Sequence, residues 1–319
     1  MSQVVGELER LETTPAETGP AGGIRGRSPW QLAWQRLRRD RVALACACVV
    51  VLIALVATLA PLIAYIVGHG PDTQYPSRLT AEGLPVGPDR HFLFGSDDLG
   101  RDVLVRVAYG ARISLLVGVV ASTLAVVLGV IVGLAAGYFG GAADTFLSRF
   151  MDVILSFPFV LFAIALVSIV GPSLRVAIGT IVFFSWAAVG RIVRGQTLSI
   201  REKEYVEAAR SIGASDLRIM FVDILPNLLA PVLVYLTLLI PASIVFEATL
   251  SFLGLGVVAP TPSWGNMLAS SLQYYQVAWW FVLFPAAFLL LTTLAFNLLG
   301  DSVRDALDPR GESLFRRPR

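Results

Sequence analysis

Long apolar runs separated by shorter polar segments occupy most of this chain. The runs are roughly Val42–Val67, Ile113–Tyr138, Val153–Val170, Val176–Gly190, Leu228–Leu250 and Val277–Leu299. A helix of about 20 apolar residues crosses a bilayer. Val176–Gly190 is the shortest run and needs Leu174 and Ile192 as shoulders. The pattern predicts an all-α polytopic membrane protein with six transmembrane helices. Gly129, Gly133 and Gly137 recur at steps of four in the second run. This small-xxx-small stripe predicts close helix packing. Pro158, Pro231, Pro241 and Pro285 fall inside runs and predict kinks that neighbouring helices must satisfy.

The polar segments divide the chain further. Residues 1–30 are rich in Gly, Pro, Glu and Thr and read as a disordered tail. Residues 31–67 are a basic amphipathic lead-in followed by the first span. That run is longer than the core of a cleaved signal peptide, so an uncleaved anchor is expected. Residues 68–110 form a polar loop, 111–301 a five-helix core, and 302–319 a tail. Within the loop, Gly100-Arg101-Asp102 precedes an amphipathic stretch, Val103 to Gly110, expected to lie along the membrane face.

One polar segment is unusually regular. In EYVEAARSIGASDLRIMFVDILPN (Glu204–Asn227), Tyr205, Ala208, Ala209 and Ile212 repeat at i, i+3, i+4, i+7. Glu207, Arg210 and Ser211 take the other face. Gly213 is placed to stop that helix and Ser215 to cap the next. Leu217, Met220, Phe221 and Ile224 repeat the helical spacing, and Pro226 leads into the fifth run. The prediction is a helix–turn–helix held between two spans, over 194–227 in all.

Composition supports the membrane class: 55% of residues are hydrophobic and 15% charged, against about 25% charged in a soluble domain. The mean hydropathy is +0.71. Lys203 is the only lysine and lies between Glu202 and Glu204, so the chain contains no phosphate-binding Gly-Lys-Ser/Thr loop. Cys46 and Cys48 stand one residue apart in the first run, a spacing for small apolar residues rather than a metal. Arginines cluster before the first span, in the loop after the fourth and after the last. Six spans put all three clusters on one side, which the positive-inside rule makes cytoplasmic. Trp279 and Trp280 open the sixth run as an aromatic belt would. Glu247, near the outer end of the fifth run, is the sharpest intramembrane charge. It is either a substrate or gate residue, or a bundle-internal acid bonded to its neighbours. Asp152 and Arg149 are placed to pair at helical spacing.

Glu207-Ala208-Ala209, then Gly213, then Leu225-Pro226 resembles the EAA loop of ABC importer permeases. The segments FGSDDLGRDVLVRVAYGARISL (Phe94–Leu115), LSFLGLG (Leu250–Gly256), PSWGNML (Pro262–Leu268) and FNLLGDSVRDALDPR (Phe296–Arg310) resemble the dipeptide/oligopeptide/nickel branch. Asp223 departs from the aliphatic residue common two places before the Leu of the EAA loop. The resemblance implies a type I importer permease fold in a prokaryotic cell membrane, with both termini cytoplasmic. It implies a second homologous permease, two ABC ATPase subunits and an extracytoplasmic solute-binding protein as partners. ATP and Mg would be bound by the ATPases, and no cofactor or catalytic residue by this chain. Glu207, Ala208, Ala209, Arg210 and Gly213 would couple to the ATPase, and Glu247 and Trp264 would line the translocation path. Peptides are the expected cargo, with nickel chelates, glutathione or oligosaccharides open to the same machinery. An ion-coupled secondary transporter needs several mid-membrane charges, and Glu247 is nearly alone.

Overall fold

Asp40 starts the first membrane helix. Its carboxylate accepts the Val42 N–H at 2.8 Å, satisfying one of the orphan donors of a helix start. The computed structural model describes residues 29–307. The expected tail therefore lies outside the described residues up to position 28, as does the chain beyond 307. A short helix α1 (Pro29–Leu37) leads to α2 (Arg41–Thr58) and α3 (Ala60–Val67). The first run, predicted as one span, is interrupted at Leu59. Pro61 in the first turn of α3 has no N–H to continue the ladder.

The loop that follows ends at Asp102, whose side chain caps α4 (Val103–Phe139) by accepting from Leu104 N at 2.8 Å. The stretch from Val103 to Gly110 does not lie along the membrane face. It forms the first turns of α4, with Val103, Val105 and Val107 buried. The boundary drawn between positions 110 and 111 thus falls inside a helix. At 1.5 Å per residue, 37 residues span about 55 Å, longer than the bilayer core.

The third run is a bent pair, α5 (Gly141–Ser156) and α6 (Phe159–Val170), meeting at 83°. Pro158 causes the break: it lacks a donor, and it holds Phe157 extended at φ −79°, ψ 133°. The weakest run on the sequence, by contrast, becomes the uninterrupted α7 (Leu174–Arg201). α9 (Asp216–Phe252) and α11 (Trp279–Leu307) complete the long helices. Among the described residues, five helices are long and apolar enough to cross a membrane, and the bent pair is a sixth candidate. The Arg36 guanidinium meets the Ala306 carbonyl at 3.4 Å, so α1 and the end of α11 share one end of the bundle. An odd number of crossings would separate them, so the bent pair counts as a crossing.

α4 and α7 form the closest helix pair. A Cβ built on Gly129 would stand 2.7 Å from Val189 Cβ, and one on Gly133 would stand 2.9 Å from Val193 Cβ. Carbon atoms rest at about 3.5–4.0 Å, so the glycine stripe lets the helices meet at this distance.

Candidate functional site

α7 ends at Arg201, and α8 (Glu204–Ser211) begins three residues later at the end of the bundle that also holds α1. The stop of α8 is a Schellman motif. Ala214 N donates to Ala209 O at 3.1 Å, and Gly213 N to Arg210 O at 3.1 Å. Gly213 takes φ +81°, which a side chain resists, so glycine is required here by conformation and not by space. Ser215 holds the N-cap backbone position of α9, but its hydroxyl makes no capping bond.

α8 is anchored by Val206, fully buried in one apolar cluster with Val189 and Val193 of α7 and Ile219, Met220 and Ile224 of α9. Ala209 packs at its edge. The spacing singled out a different set, and the structure divides it. Met220 and Ile224 pack under the bundle. Tyr205 (46% exposed), Ile212 (84%), Leu217 (66%) and Phe221 (56%) are uncovered apolar side chains of the two helices and the turn between them. Glu207, Ala208 and Arg210 lie exposed on α8, and Gly213 lies exposed in the turn that follows it. Sequence periodicity found the helices but missed Val206, which falls between the apolar positions of the repeat.

The first turns of α9 contain a six-residue π-helix, Ile219–Ile224. Pro226 accounts for it. In an α-helix its ring would collide with the Val222 carbonyl, and the wider π-turn, with Leu225 N bonding Met220 O, relieves this. Asn227 Nδ2 donates to the Asp223 carbonyl at 2.7 Å, so the position that departs from the aliphatic pattern also lies in the irregular turn.

Arginines stitch this end together. Arg194 forms a two-point pair with Asp144, its Nη2 at 2.7 Å from Oδ2. Arg191 reaches Asp152 at 2.5 Å, whereas the i,i+3 partner Arg149 stands off at 3.6 Å. Local spacing found Arg149; Arg191, 39 residues from Asp152, needed the α5–α7 packing.

Glu247 and Trp264 lie toward the other end, and both are fully buried within the subunit. Glu247 accepts from Ser114 Oγ of α4 at 3.0 Å and from Ser251 Oγ at 2.7 Å. Ser251 Oγ in turn accepts the Val257 N–H at 2.9 Å. Trp264 opens the short helix α10 (Trp264–Ser271), behind a capping box of Ser263 and Asn266, and donates Nε1–H to Val107 O at 3.1 Å. Both side chains are thus bonded within this chain at this end of the bundle.

Arg106 binds the carbonyls of Pro71 at 2.9 Å and Pro260 at 3.3 Å, joining the two loops at this end. Burial and the neighbouring Asp97 hold the Asp98 carboxyl above its ordinary range. Trp280 is buried, not at a lipid belt, with Nε1–H donated to Ser96 O at 3.1 Å; Trp279 alone is exposed.

The model of the binding-protein-dependent transport system inner membrane component matches residues 110–312. The model of the N-terminal transmembrane domain of oligopeptide transport permease C matches residues 28–81. The oligopeptide transport system permease of Escherichia coli K12 is 45% identical over 90% of this chain and 93% of its own. The dipeptide transport system permease of Alkalihalophilus pseudofirmus is 43% identical over 90% of this chain and 91% of its own. A glutathione transport system permease from E. coli O6:K15:H31 is 42% identical over 89% and 91%. Among solved structures, the methionine ABC transporter MetNI, in an inward-facing conformation, superposes with a TM-score of 0.52. That match is 19% identical and covers 63% of this chain and 96% of the other.

Proposed function

Since this chain belongs to the family of binding-protein-dependent transport inner membrane components, we propose that its helix–turn–helix transmits ATP-driven motion to a peptide path. The chain is a permease subunit of an ABC importer for di- and oligopeptides. It supplies membrane helices, while ATP and Mg are held by two separate ATPase subunits. A second permease completes the path, and an extracytoplasmic binding protein delivers cargo. The loop end of the bundle, with α1 and the end of α11, is cytoplasmic in this reading. The arginine clusters at that end support it.

The observation that carries the coupling role is the exposure of four large apolar side chains, Tyr205, Ile212, Leu217 and Phe221, on a helix–turn–helix that also exposes Glu207 and Arg210. Apolar exposure of this kind at the polar end of a membrane protein fits a protein partner. Ala208 allows a partner backbone to approach closely. Val206 and the Schellman stop at Gly213 hold the helix–turn–helix rigidly, so a push on it moves helices as bodies. Glu247 and Trp264 belong to the same reading as the framework of the outer end of the path. They position the segment from 253 to 263 without meeting the cargo.

Co-purification with a P-loop ATPase, followed by peptide uptake in proteoliposomes, tests the assignment. Glu207→Arg and Gly213→Pro are expected to abolish uptake while leaving membrane insertion intact. Normal uptake by both variants would overturn it.

A further inference from the structure

The coupling helices run directly into α9, yet α9 is poorly built to pass on a displacement. It contains the π-turn at Ile219–Ile224 and prolines at 226, 231 and 241. The bent pair α5–α6 is broken at Pro158, and α11 carries Pro285. Such interruptions are where helices bend. α4 and α7, like the shorter α2, hold no proline, and α4 and α7 pack on each other along the glycine stripe.

α4 is tied to the coupling loop at its last turn. Tyr138 Oη donates to Asp216 Oδ1, the first residue of α9, at 2.6 Å. The Arg210 guanidinium of α8 lies 6.0 Å from the Tyr138 ring centroid. Arg201, at the end of α7, donates Nη1–H to Gly137 O at 2.9 Å, capping α4. A polar cavity of about 380 Å³, lined by Tyr138, Phe139, Arg201, Glu202, Arg210 and Asp216, opens beside these contacts. Toward its other end, α4 carries Ser114 on Glu247, and its Val107 carbonyl receives Trp264. One uninterrupted helix thus joins the coupling loop to the outer framework.

We propose that Tyr138 is a positioning residue of the transport cycle: through Asp216 it makes α4 move with the coupling loop. This rests on the coupling role argued above. A short hydrogen bond to a carboxylate is among the stronger single contacts available, and its loss shifts a two-state arrangement on the order of tenfold. The ring of Tyr138 stays buried in the apolar cluster with Val206 and Met220, so Tyr138→Phe removes the contact and keeps the packing.

The test uses the complete complex in proteoliposomes with its binding protein and labelled trialanine, reading ATP hydrolysed per peptide imported. Tyr138→Phe and Asp216→Ala are each expected to raise that ratio on the order of tenfold. The double variant should be no worse than either single one. Asp216→Asn, whose amide oxygen still accepts, should restore a ratio near wild type. A purely structural role predicts lower complex recovery or thermal stability with the ratio unchanged, and that result overturns the proposal. So do additive losses in the double variant. Glu207→Arg run alongside separates the two claims. If it leaves uptake normal, the coupling reading fails. If it uncouples while Tyr138→Phe does not, only the role of Tyr138 fails.

Discussion

The hydroxyl of Ser114 on α4 donates a hydrogen bond of 3.0 Å to the carboxylate of Glu247 on α9, 133 residues away, with both groups buried. Its oxygens are taken by hydroxyls of its own chain, and we read Glu247 as part of the subunit's scaffold. Glu247→Gln should therefore keep peptide uptake close to wild type, since the amide oxygen still accepts from one serine and the amide NH2 donates to the rotated hydroxyl of the other. Glu247→Ala should destabilise the subunit by about 1–3 kcal/mol, because it strands the hydroxyls of Ser114 and Ser251. Thermal unfolding in detergent beside an uptake assay checks both. Lost uptake by a stable Glu247→Gln protein would return the residue to the path.

Gly133 tests the α4–α7 contact. Its added Cβ would crowd Val193, so Gly133→Val forces the helices apart. A loss of about 1–3 kcal/mol is expected, typical of overpacking. Gly195, where an added Cβ meets nothing, is the control: Gly195→Ala should leave thermal stability unchanged or slightly raised.

Trp280 anchors the long loop to α11 through Ser96 O. Trp280→Phe keeps most of the buried ring but leaves that carbonyl without this donor. A cost of about 1 kcal/mol is expected. Limited proteolysis should show faster cleavage in the loop, while Trp279→Phe, at an exposed position, should behave as wild type.

Asp89 makes the same loop acid-sensitive. The Phe92 N–H, then the Arg78 guanidinium, hold its carboxyl down to about 2 from the ordinary 3.8. A depressed carboxyl stabilises the fold at pH above its unfolded value. That contribution is lost as pH falls from 3.8 through about 2. Hydrogen exchange at the Phe92 amide should therefore accelerate across this window relative to Asp89→Asn, which lacks the titration. Equal behaviour of the two proteins at every pH would remove Asp89 as the cause.

Much of this molecule is written locally. Runs of apolar residues imply spans, because a backbone in lipid must satisfy itself within a helix. The glycine stripe, the stop at Gly213 and the helix–turn–helix itself were legible for the same reason: each depends on neighbours within a turn or two. Pro158 was legible as a kink, but not as an 83° bend, since the angle depends on what receives α6. Tertiary packing decided the rest. It chose Val206 rather than Tyr205 and Ile212 as the buried face of α8, gave Asp152 to Arg191, and enclosed Glu247 among serines from separate helices. It also withdrew Trp280 from the membrane belt to hold Ser96. Those outcomes turn on which surfaces meet across the bundle, and hydrophobic burial, being non-directional, does not specify that by periodicity alone.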